Sequence, residues 1–429
     1  MLTIDRRVVA ASFEDNPHVD ATAVRRAFAD LPEARRSHLL LGDWSADDVP
    51  SPSSSSPREE STAFRDDDTE AGPPRLRALI GQAAGREVWF DPYRPSRPLA
   101  NCHVFINGET GSGKTQTVMA LVADLRAGGV VPLLLDRKDD YVGEWAQDQH
   151  LPVIAPLLGT RLPFNPLAPV ADPRTQIANP LHQIHRAVDI VKRVWHLGDQ
   201  QAYRLREAAK EAFQRSGIPL APAPLGPMTR YPTLVEAAAL LEPSDTLRGR
   251  LSPLLDLDPF ADHGCGLGAL LERGAVVRLA GLPGEEARTA TAEFLLLAIY
   301  DFVLAQSHAR GLRWVLGIDE ARHLAQSPYL EPLLREGRAY GLGVLIASQF
   351  PRDLSLEVKG CAATQLYGSQ SQLEQIAEIQ RAVLGETRGA DARRLAGAIR
   401  GLQPFEAVLH TRGKWGVVRV TPDFQRRPP

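Results

Sequence analysis

The sequence has 429 residues, of which 44% are hydrophobic and 24% charged, and its net charge at pH 7 is −3. This length and composition fit one large α/β domain with appendages, or two domains, of an ordinary globular protein. The charge excludes a uniformly basic surface but not a local basic lining. No apolar run approaches the roughly 20 residues that span a bilayer, and residues 1–13 lack a signal-peptide core.

Cysteine usage points to a reducing compartment. Cys102, Cys265 and Cys361 are far apart and show no paired spacing. This usage predicts a cytoplasmic protein that has no disulfides and no zinc site. The lack of a long apolar run predicts no membrane insertion.

The first 74 residues divide into two segments. Residues 1–43 form a small N-terminal segment that carries no recognisable chemistry. Residues 44–74 are rich in serine, proline and aspartate, which cannot bury enough apolar surface to offset the entropy of ordering. We predict a disordered linker there, with a docking tail as the alternative.

A phosphate-binding loop stands in the first part of the predicted core, residues 75–150. It has the pattern G-x-x-x-x-G-K-T and lies between a short apolar run, which predicts a buried strand, and apolar residues at helical spacing. Its glycines let backbone N–H groups surround a phosphate, and the helix N-terminus adds its positive dipole end. The residues predicted to contact the nucleotide are Gly108, Glu109, Thr110, Gly111, Ser112, Gly113, Lys114, Thr115 and Gln116.

Two of these residues have specific expected roles. Lys114 is expected to reach the β- and γ-phosphates, and the hydroxyl of Thr115 to hold Mg²⁺. A second apolar strand follows and ends at Asp136, where a charged run, 136–141, begins. Charged residues just past the carboxyl end of such a strand lie on the ligand edge of an open α/β sheet. The alternative is a solvated loop.

Residues 151–268 are predicted to form a mainly helical insertion. Apolar residues between 181 and 213 have the spacing of a buried helix face. Basic side chains in the same stretch form either solvated helix faces or part of a nucleic-acid path. These are Arg186, Lys192, Arg193, Arg204, Arg206 and Lys210.

The second part of the core, residues 269–429, carries a pair of adjacent acids and ends in a hairpin. A strongly apolar strand ends in Asp319 and Glu320, which are expected to anchor Mg²⁺ through water and to polarise the attacking water. The next strand ends in Gln349, which would sense the γ-phosphate or simply cap the strand. This order of elements predicts an α/β fold, a RecA-like P-loop NTPase core with a central, mostly parallel sheet and an α-helical insertion.

The combination of motifs resembles the HerA/FtsK group of ATPases over about residues 86–424. The motifs are the phosphate loop, the strand end at Asp136, F-N-P-L at 164–167, I-D-E-A at 318–321 and the block 335–351. Within the group, three further segments are similar to the HerA-like ATPases of the DptH type, which act in phosphorothioation-dependent DNA restriction in bacteria. These segments are 103–106, 197–205 and 348–351.

The resemblance implies a hexameric ring that moves along double-stranded DNA by hydrolysing ATP, with Mg²⁺, at subunit interfaces. Asp319 and Glu320 match the family's acid pair, and Gln349 matches its γ-phosphate sensor. Arg338 matches the arginine that reaches into a neighbour's site, with Arg335 as the second candidate. Arg322 is a weaker third, and each arginine could instead form an ordinary salt bridge.

The chain departs from the family pattern in two places. Residues 1–74 are too short for the family's N-terminal β-barrel. The family often has Asp-Glu-Ala-His, whereas here Arg322 lies between the alanine and His323. The main hypothesis is a DNA translocase that acts with a nuclease in restriction or antiphage defence. The alternatives are a type IV secretion-like transport ATPase and a nucleotide-gated switch that assembles an effector partner.

Overall fold

The structure is a computed structural model that describes residues 76–224, 230–262 and 266–426. The N-terminal segment 1–43 and the linker 44–74, as predicted from the sequence, lie outside the described residues, as does Cys265. The other two cysteines are free thiols.

Thirteen strands are present in the described residues. In chain order they are β1 (Ala78–Ala83), β2 (Arg86–Phe90), β3 (Val104–Asn107), β4 (Val131–Asp136), β5 (Val153–Ile154), β6 (Ile177–Ala178), β7 (Ala223–Pro224), β8 (Ala275–Arg278), β9 (Trp314–Ile318), β10 (Leu342–Ser348), β11 (Thr364–Tyr367), β12 (Glu406–Thr411) and β13 (Lys414–Val420).

Eleven of these strands form one sheet in the order β2-β1-β13-β12-β11-β3-β10-β9-β4-β8-β5, and β6 pairs with β7 separately. The seven strands from β11 to β5 are parallel to one another. The four from β12 to β2 extend the sheet as antiparallel strands. The predicted α/β class with a central, mostly parallel sheet is confirmed.

Twelve α-helices connect and cover these strands within the described ranges. They are α1 (Lys114–Ala127), α2 (Glu144–Asp148), α3 (Pro180–Val194), α4 (Asp199–Arg215), α5 (Leu234–Ala239), α6 (Thr246–Leu255), α7 (Leu267–Arg273), α8 (Gly284–Leu304), α9 (Leu330–Glu336), α10 (Leu356–Gly360), α11 (Leu373–Leu384) and α12 (Ala390–Gly401).

The sheet has a buried core on each face, because side chains of a strand alternate between its two faces. Leu133 and Leu135 of β4 pack with the insertion helices and α8, whereas Leu134 packs on the opposite face with α1. Helix α8 is so deeply buried that Glu293, in its middle, is only 2% exposed and pairs with Arg193 of α3. The insertion is therefore joined to the core by both packing and charge.

The sheet also contains two strands that the sequence analysis did not assign to it. β1 was not predicted, and it joins the antiparallel extension between β13 and β2. β5 lies within the range predicted for the helical insertion, but it pairs with β8 at the other end of the sheet. Both segments are held by pairing with strands that are distant in sequence.

The first testable prediction concerns His103, which is completely buried just before β3. Its Nδ1 accepts a hydrogen bond from the backbone N–H of Val344, 3.0 Å away, and burial lowers the pKa of His103 to about 4. An unfolded histidine has a pKa of about 6.5. Between pH 6.5 and pH 4 the unfolded chain therefore binds more protons than the folded chain. The free energy of unfolding therefore falls as the pH drops from about 6.5 to 4, by about 3 kcal/mol from this residue.

His103→Asn keeps an acceptor for Val344 but does not titrate in this range. Urea unfolding between pH 7 and pH 4 should show that the variant loses about 3 kcal/mol less stability than the wild type. The exposed His150→Asn is the matched control. Equal pH slopes for the wild type and His103→Asn would contradict the assignment.

Candidate nucleotide-binding site

The sheet topology brings the predicted site residues to one edge of the sheet, the edge at which the parallel strands have their carboxyl ends. The phosphate loop follows the carboxyl end of β3, Gln349 follows β10, and the acid pair follows β9. β10 lies between β3 and β9, and all three strands are parallel. The glutamine is therefore placed between the loop and the acids.

The phosphate loop needs glycine at two positions. Gly111 and Gly113 have φ angles of 84° and 95°, in the left-handed region that side chains disfavour. A Cβ atom on Gly113 would also lie 2.5 Å from the ring of Phe405. Helix α1 begins at the next residue, Lys114, so its N-terminus faces the loop. This is the arrangement that binds phosphate groups.

Lys114 is folded back over the loop. Its Nζ donates hydrogen bonds to the carbonyl oxygens of Gly108, at 2.7 Å, and Glu109, at 3.0 Å. Burial lowers the pKa of Lys114, while the negative charges of Asp319 and Glu320 act in the opposite direction. The lysine therefore lies within electrostatic range of the two acids.

The acid pair is almost fully buried. Asp319 and Glu320 are 4% and 3% exposed, and the backbone N–H of Glu320 donates to Oδ1 of Asp319 at 3.0 Å. Burial raises the pKa of Asp319 to about 6. Glu320 has a left-handed φ of 52°, a backbone conformation that is uncommon for a long side chain and occurs often at functional sites.

The carboxylate of Glu320 is held by three other side chains. Oε1 accepts hydrogen bonds from Gln349 Nε2, at 2.9 Å, and from Lys138 Nζ. Burial alone would raise the pKa of Glu320, but these hydrogen bonds and the charges of Lys138 and Arg322 bring it below its usual value. Oε2 is buried without a hydrogen bond, 3.5 Å from Nε of Arg322. The result is an ionised carboxylate whose Oε2 lies beside a guanidinium group and accepts no hydrogen bond from the described residues.

The charged run after β4 is an ordered loop on this same edge. Asp136 is fully buried, and its carboxylate accepts three backbone N–H groups, from Lys138 and Asp140 at 3.1 Å and from Tyr141 at 3.0 Å. It organises the loop itself and does not face a ligand. The loop in turn aims Lys138 at Glu320 and Asp140 at Thr115, whose Oγ1 donates to Asp140 Oδ2 at 3.3 Å.

Three residues that sequence reasoning missed hold the loops together. Gln370, 2% exposed, donates to the side chain of Asn107 and to the backbone carbonyl of Gln349, both at 3.0 Å. Ser371 donates through N–H and Oγ to the carboxylate of Glu109, at 2.7 and 2.6 Å. Lys138 is the third: it belongs to the charged run predicted at the ligand edge, but its pairing with Glu320 was not predicted. Local sequence carries no signal for these contacts, because the partners are 21 to 263 residues apart.

The structure places the two main candidate arginines at the opposite edge of the sheet, where the parallel strands have their amino ends. Arg338 lies in the turn just before β10, and Arg335 lies in the last turn of α9, where it pairs with Glu331 at 2.6 Å. Burial is the main cause of the low pKa of His103, and the positive charge of Arg338 adds to it, which locates Arg338 near the start of β3. Neither arginine can reach the phosphate loop of its own chain. Arg322, by contrast, contacts its own Glu320.

The oxygen atoms that the site offers as metal ligands fit Mg²⁺ bound together with a triphosphate. Within the described ranges, no group of three histidine, cysteine, aspartate or glutamate side chains could hold a metal alone. Mg²⁺ in nucleotide sites takes oxygen ligands and needs only one or two from the protein, since phosphates and water supply the rest. Thr115 and Asp319, with Asp140 beside them, provide such oxygens.

Comparison with protein families finds a match in the first part of the described chain. The family described as the type IV secretion-system coupling protein DNA-binding domain matches residues 95–178. This stretch contains the phosphate loop, α1, β4 and the charged loop. No curated protein sequence is similar enough to count as a relative.

Solved structures show the same fold. VirB4 of Thermoanaerobacter pseudethanolicus is similar at a TM-score of 0.62 and 17% identity, covering 81% of this chain and 97% of that one. The unbound bacterial conjugative coupling protein TrwBdeltaN70 is similar at 0.54 and 16%, covering 83% and 98%. TrwB in complex with ADP and Mg²⁺ is similar at 0.52 and 15%, again covering 83% and 98%. At these identities the likeness shows a shared P-loop ATPase fold.

One further finding concerns membranes. In the ranges that the structure describes, no helix combines the length and the apolar composition needed to cross a bilayer.

The second prediction tests the acid pair. Glu320→Gln keeps the size of the side chain but removes the proton acceptor, so the variant should bind ATP and lose about 10²- to 10⁴-fold in turnover. Lys114→Ala should instead lose ATP binding. Calorimetric titration with ATP and Mg²⁺, followed by a phosphate-release assay, measures both effects. The exposed Glu374→Gln is the control, and full turnover by Glu320→Gln would refute the assignment.

Proposed function

We propose that the protein is an ATP-hydrolysing motor that acts on DNA, of the kind found in type IV secretion and conjugative coupling proteins. The observation that carries the ATPase part is the convergence of Lys114, Asp319, Glu320 and Gln349 on one edge of the sheet. The family match over residues 95–178 supports the DNA-binding part. The likeness to VirB4 and TrwB supports this type of motor over the others considered.

The chemistry follows from the positions of these side chains. The phosphate loop and Lys114 bind the triphosphate, while Thr115 and Asp319 hold Mg²⁺. The metal neutralises charge on the β- and γ-phosphates when it is bound. Glu320 accepts a proton from the attacking water, and Gln349, bonded to Glu320, orients that water. TrwB structures with a non-hydrolysable ATP analogue and with ADP and Mg²⁺ support ATP and Mg²⁺ as the ligands.

Lys138 has a definite place in this mechanism. Its ammonium group reaches the catalytic carboxylate from the loop after β4, and its side chain is 45% exposed. A lysine at this point neutralises the buried acid until a triphosphate is bound. It then lies beside the developing charge of the transferred phosphoryl group, where a cation is stabilising.

Assembly into a ring is also part of the proposal. Arg338 is exposed at the edge opposite to its own phosphate loop, so it can act on a nucleotide only in a neighbouring subunit. An arginine supplied in trans stabilises the transition state and makes hydrolysis depend on assembly. The ring of six implied by the sequence resemblance remains our prediction.

A role in DNA restriction with a nuclease is the second candidate. The sequence similarity of segments 103–106, 197–205 and 348–351 to DptH-type ATPases favours it. None of the comparisons supports that finer resemblance, a nuclease partner or a defence role. We therefore rank the restriction role below that of a type IV secretion or coupling motor.

The third prediction tests the coupling to DNA. Double-stranded DNA should raise the ATPase rate of the wild-type protein, and its affinity should fall steeply between 50 and 200 mM salt, because phosphate contacts release counterions. Phosphate release measured with and without duplex DNA gives the first effect, and fluorescence anisotropy gives the second. Glu320→Gln serves as the control that binds DNA without turnover. If duplex DNA does not change the ATPase rate, the protein is an ATPase but not a DNA motor.

The fourth prediction concerns Arg338. Arg338→Ala alone should lose most ATPase activity, by about 10³-fold or more. When it is mixed with Glu320→Gln, part of the activity should return, because some interfaces combine an intact Arg338 with an intact Glu320. Arg313→Ala, at the same edge of the sheet, is the matched control. Mixed assemblies as inactive as the two separate variants would show that Arg338 does not act in trans.

A further inference from the structure

The site also shows where the rest of the nucleotide must lie. This step rests on the proposed function. Lys114 and Thr115 interact with groups that follow β9 and β4, on the side of β3 occupied by β10. These groups would hold the metal-binding end of the triphosphate toward β10. The nucleoside would then leave the loop on the other side, toward β11, β12 and β13.

Two aromatic rings stand on that side of the loop. Phe405 immediately precedes β12, and Phe424 follows β13. The carbonyl of Phe405 accepts the N–H of Val420 at 2.7 Å, and its N–H donates to the carbonyl of Ser112 at 3.3 Å. The start of β12, the end of β13 and the phosphate loop therefore share one edge.

Phe405 is fixed against the loop. Its ring packs on Gly113 so tightly that no side chain fits at that position. Its own φ is 64°, a left-handed conformation that a bulky residue rarely adopts. The ring of Phe424 meets it edge to face, with centroids 5.7 Å apart and an interplanar angle of 72°.

Phe424 is exposed but firmly held. Just over half of the residue, 53%, is accessible, and its N–H donates to Oε1 of Gln116 on α1 at 3.4 Å. Two residues later, Arg426 pairs with Asp124 of α1 at 2.6 Å and donates to the carbonyl of Ala120 at 3.2 Å. The segment is thus attached to the helix that begins at the phosphate loop, and the exposed ring has a defined position.

We propose that Phe424, backed by Phe405 and Gln116, is the platform on which the nucleobase of the bound nucleotide stacks. The ring is apolar, accessible and rigidly placed on the side from which the nucleoside must emerge. Stacking on an aromatic face does not depend on the identity of the base, because every base has such a face. The platform therefore takes ATP and GTP with similar affinity.

The fifth prediction separates the base from the phosphates. Phe424→Ala should weaken binding of the non-hydrolysable ATP analogue by roughly 5- to 150-fold, the range for loss of one stacked base, and leave tripolyphosphate binding unchanged. Phe424→Trp should retain analogue binding, and its tryptophan fluorescence should change with the analogue but not with tripolyphosphate. Calorimetric titration of the full chain in the presence of Mg²⁺ measures the affinities.

Controls make the outcomes distinct. Leu356→Ala removes another exposed apolar side chain, away from this edge, and should bind both ligands as the wild type does. Lys114→Ala should weaken both ligands. If the wild type binds the analogue and Phe424→Ala binds it equally well, the platform is refuted while the ATPase proposal stands. If Lys114→Ala binds the analogue as the wild type does, the proposed function fails and the platform fails with it.

Discussion

The site depends on two carboxylates buried side by side at the end of β9. A buried charge is costly unless it is paired and hydrogen-bonded. Here the compensation comes from lysines on two other loops, Lys114 after β3 and Lys138 after β4, and from Gln349 after β10. The ends of three other strands are therefore tied to the acid pair at the end of β9. Removing Lys114 or Lys138 would leave buried negative charge uncompensated and would loosen the loops that bind the nucleotide.

The sheet also has two edges that carry different groups. One carries the phosphate loop, the acids and the aromatic platform proposed for the base, whereas the other carries Arg335 and Arg338. Because a single chain cannot bring its two edges together, a motor of this kind would complete its site only by assembly. The ordered loop of residues 137–141 contributes to the first edge, since the buried Asp136 fixes its backbone and so aims Lys138 and Asp140.

Much of this arrangement follows from local sequence. Short apolar runs predicted β3, β4, β9 and β10, even though β4 contains Pro132, because a continuous buried run outweighs one missing hydrogen bond. The phosphate loop followed from its glycine and lysine spacing. The sequence could not show that Asp136 organises its own loop, that Lys138 pairs with an acid 182 positions away, or that Phe424 returns to α1. The contacts of Lys138 and Phe424 join distant segments, about which local patterns carry no information. The contacts of Asp136 are local, but a run of charged residues does not show which carboxylate turns back onto the backbone.

The most direct test of the account is a crystal structure of the protein with Mg²⁺ and a non-hydrolysable ATP analogue. We expect the metal about 2.1 Å from Oγ1 of Thr115, with Asp319 bound through one of its waters. Lys114 should leave the carbonyls of Gly108 and Glu109 and contact the phosphates. A nucleotide bound away from the loop, or a metal that contacts neither Thr115 nor the surroundings of Asp319, would contradict the central claim that one lysine and one acid pair share a single metal–nucleotide site.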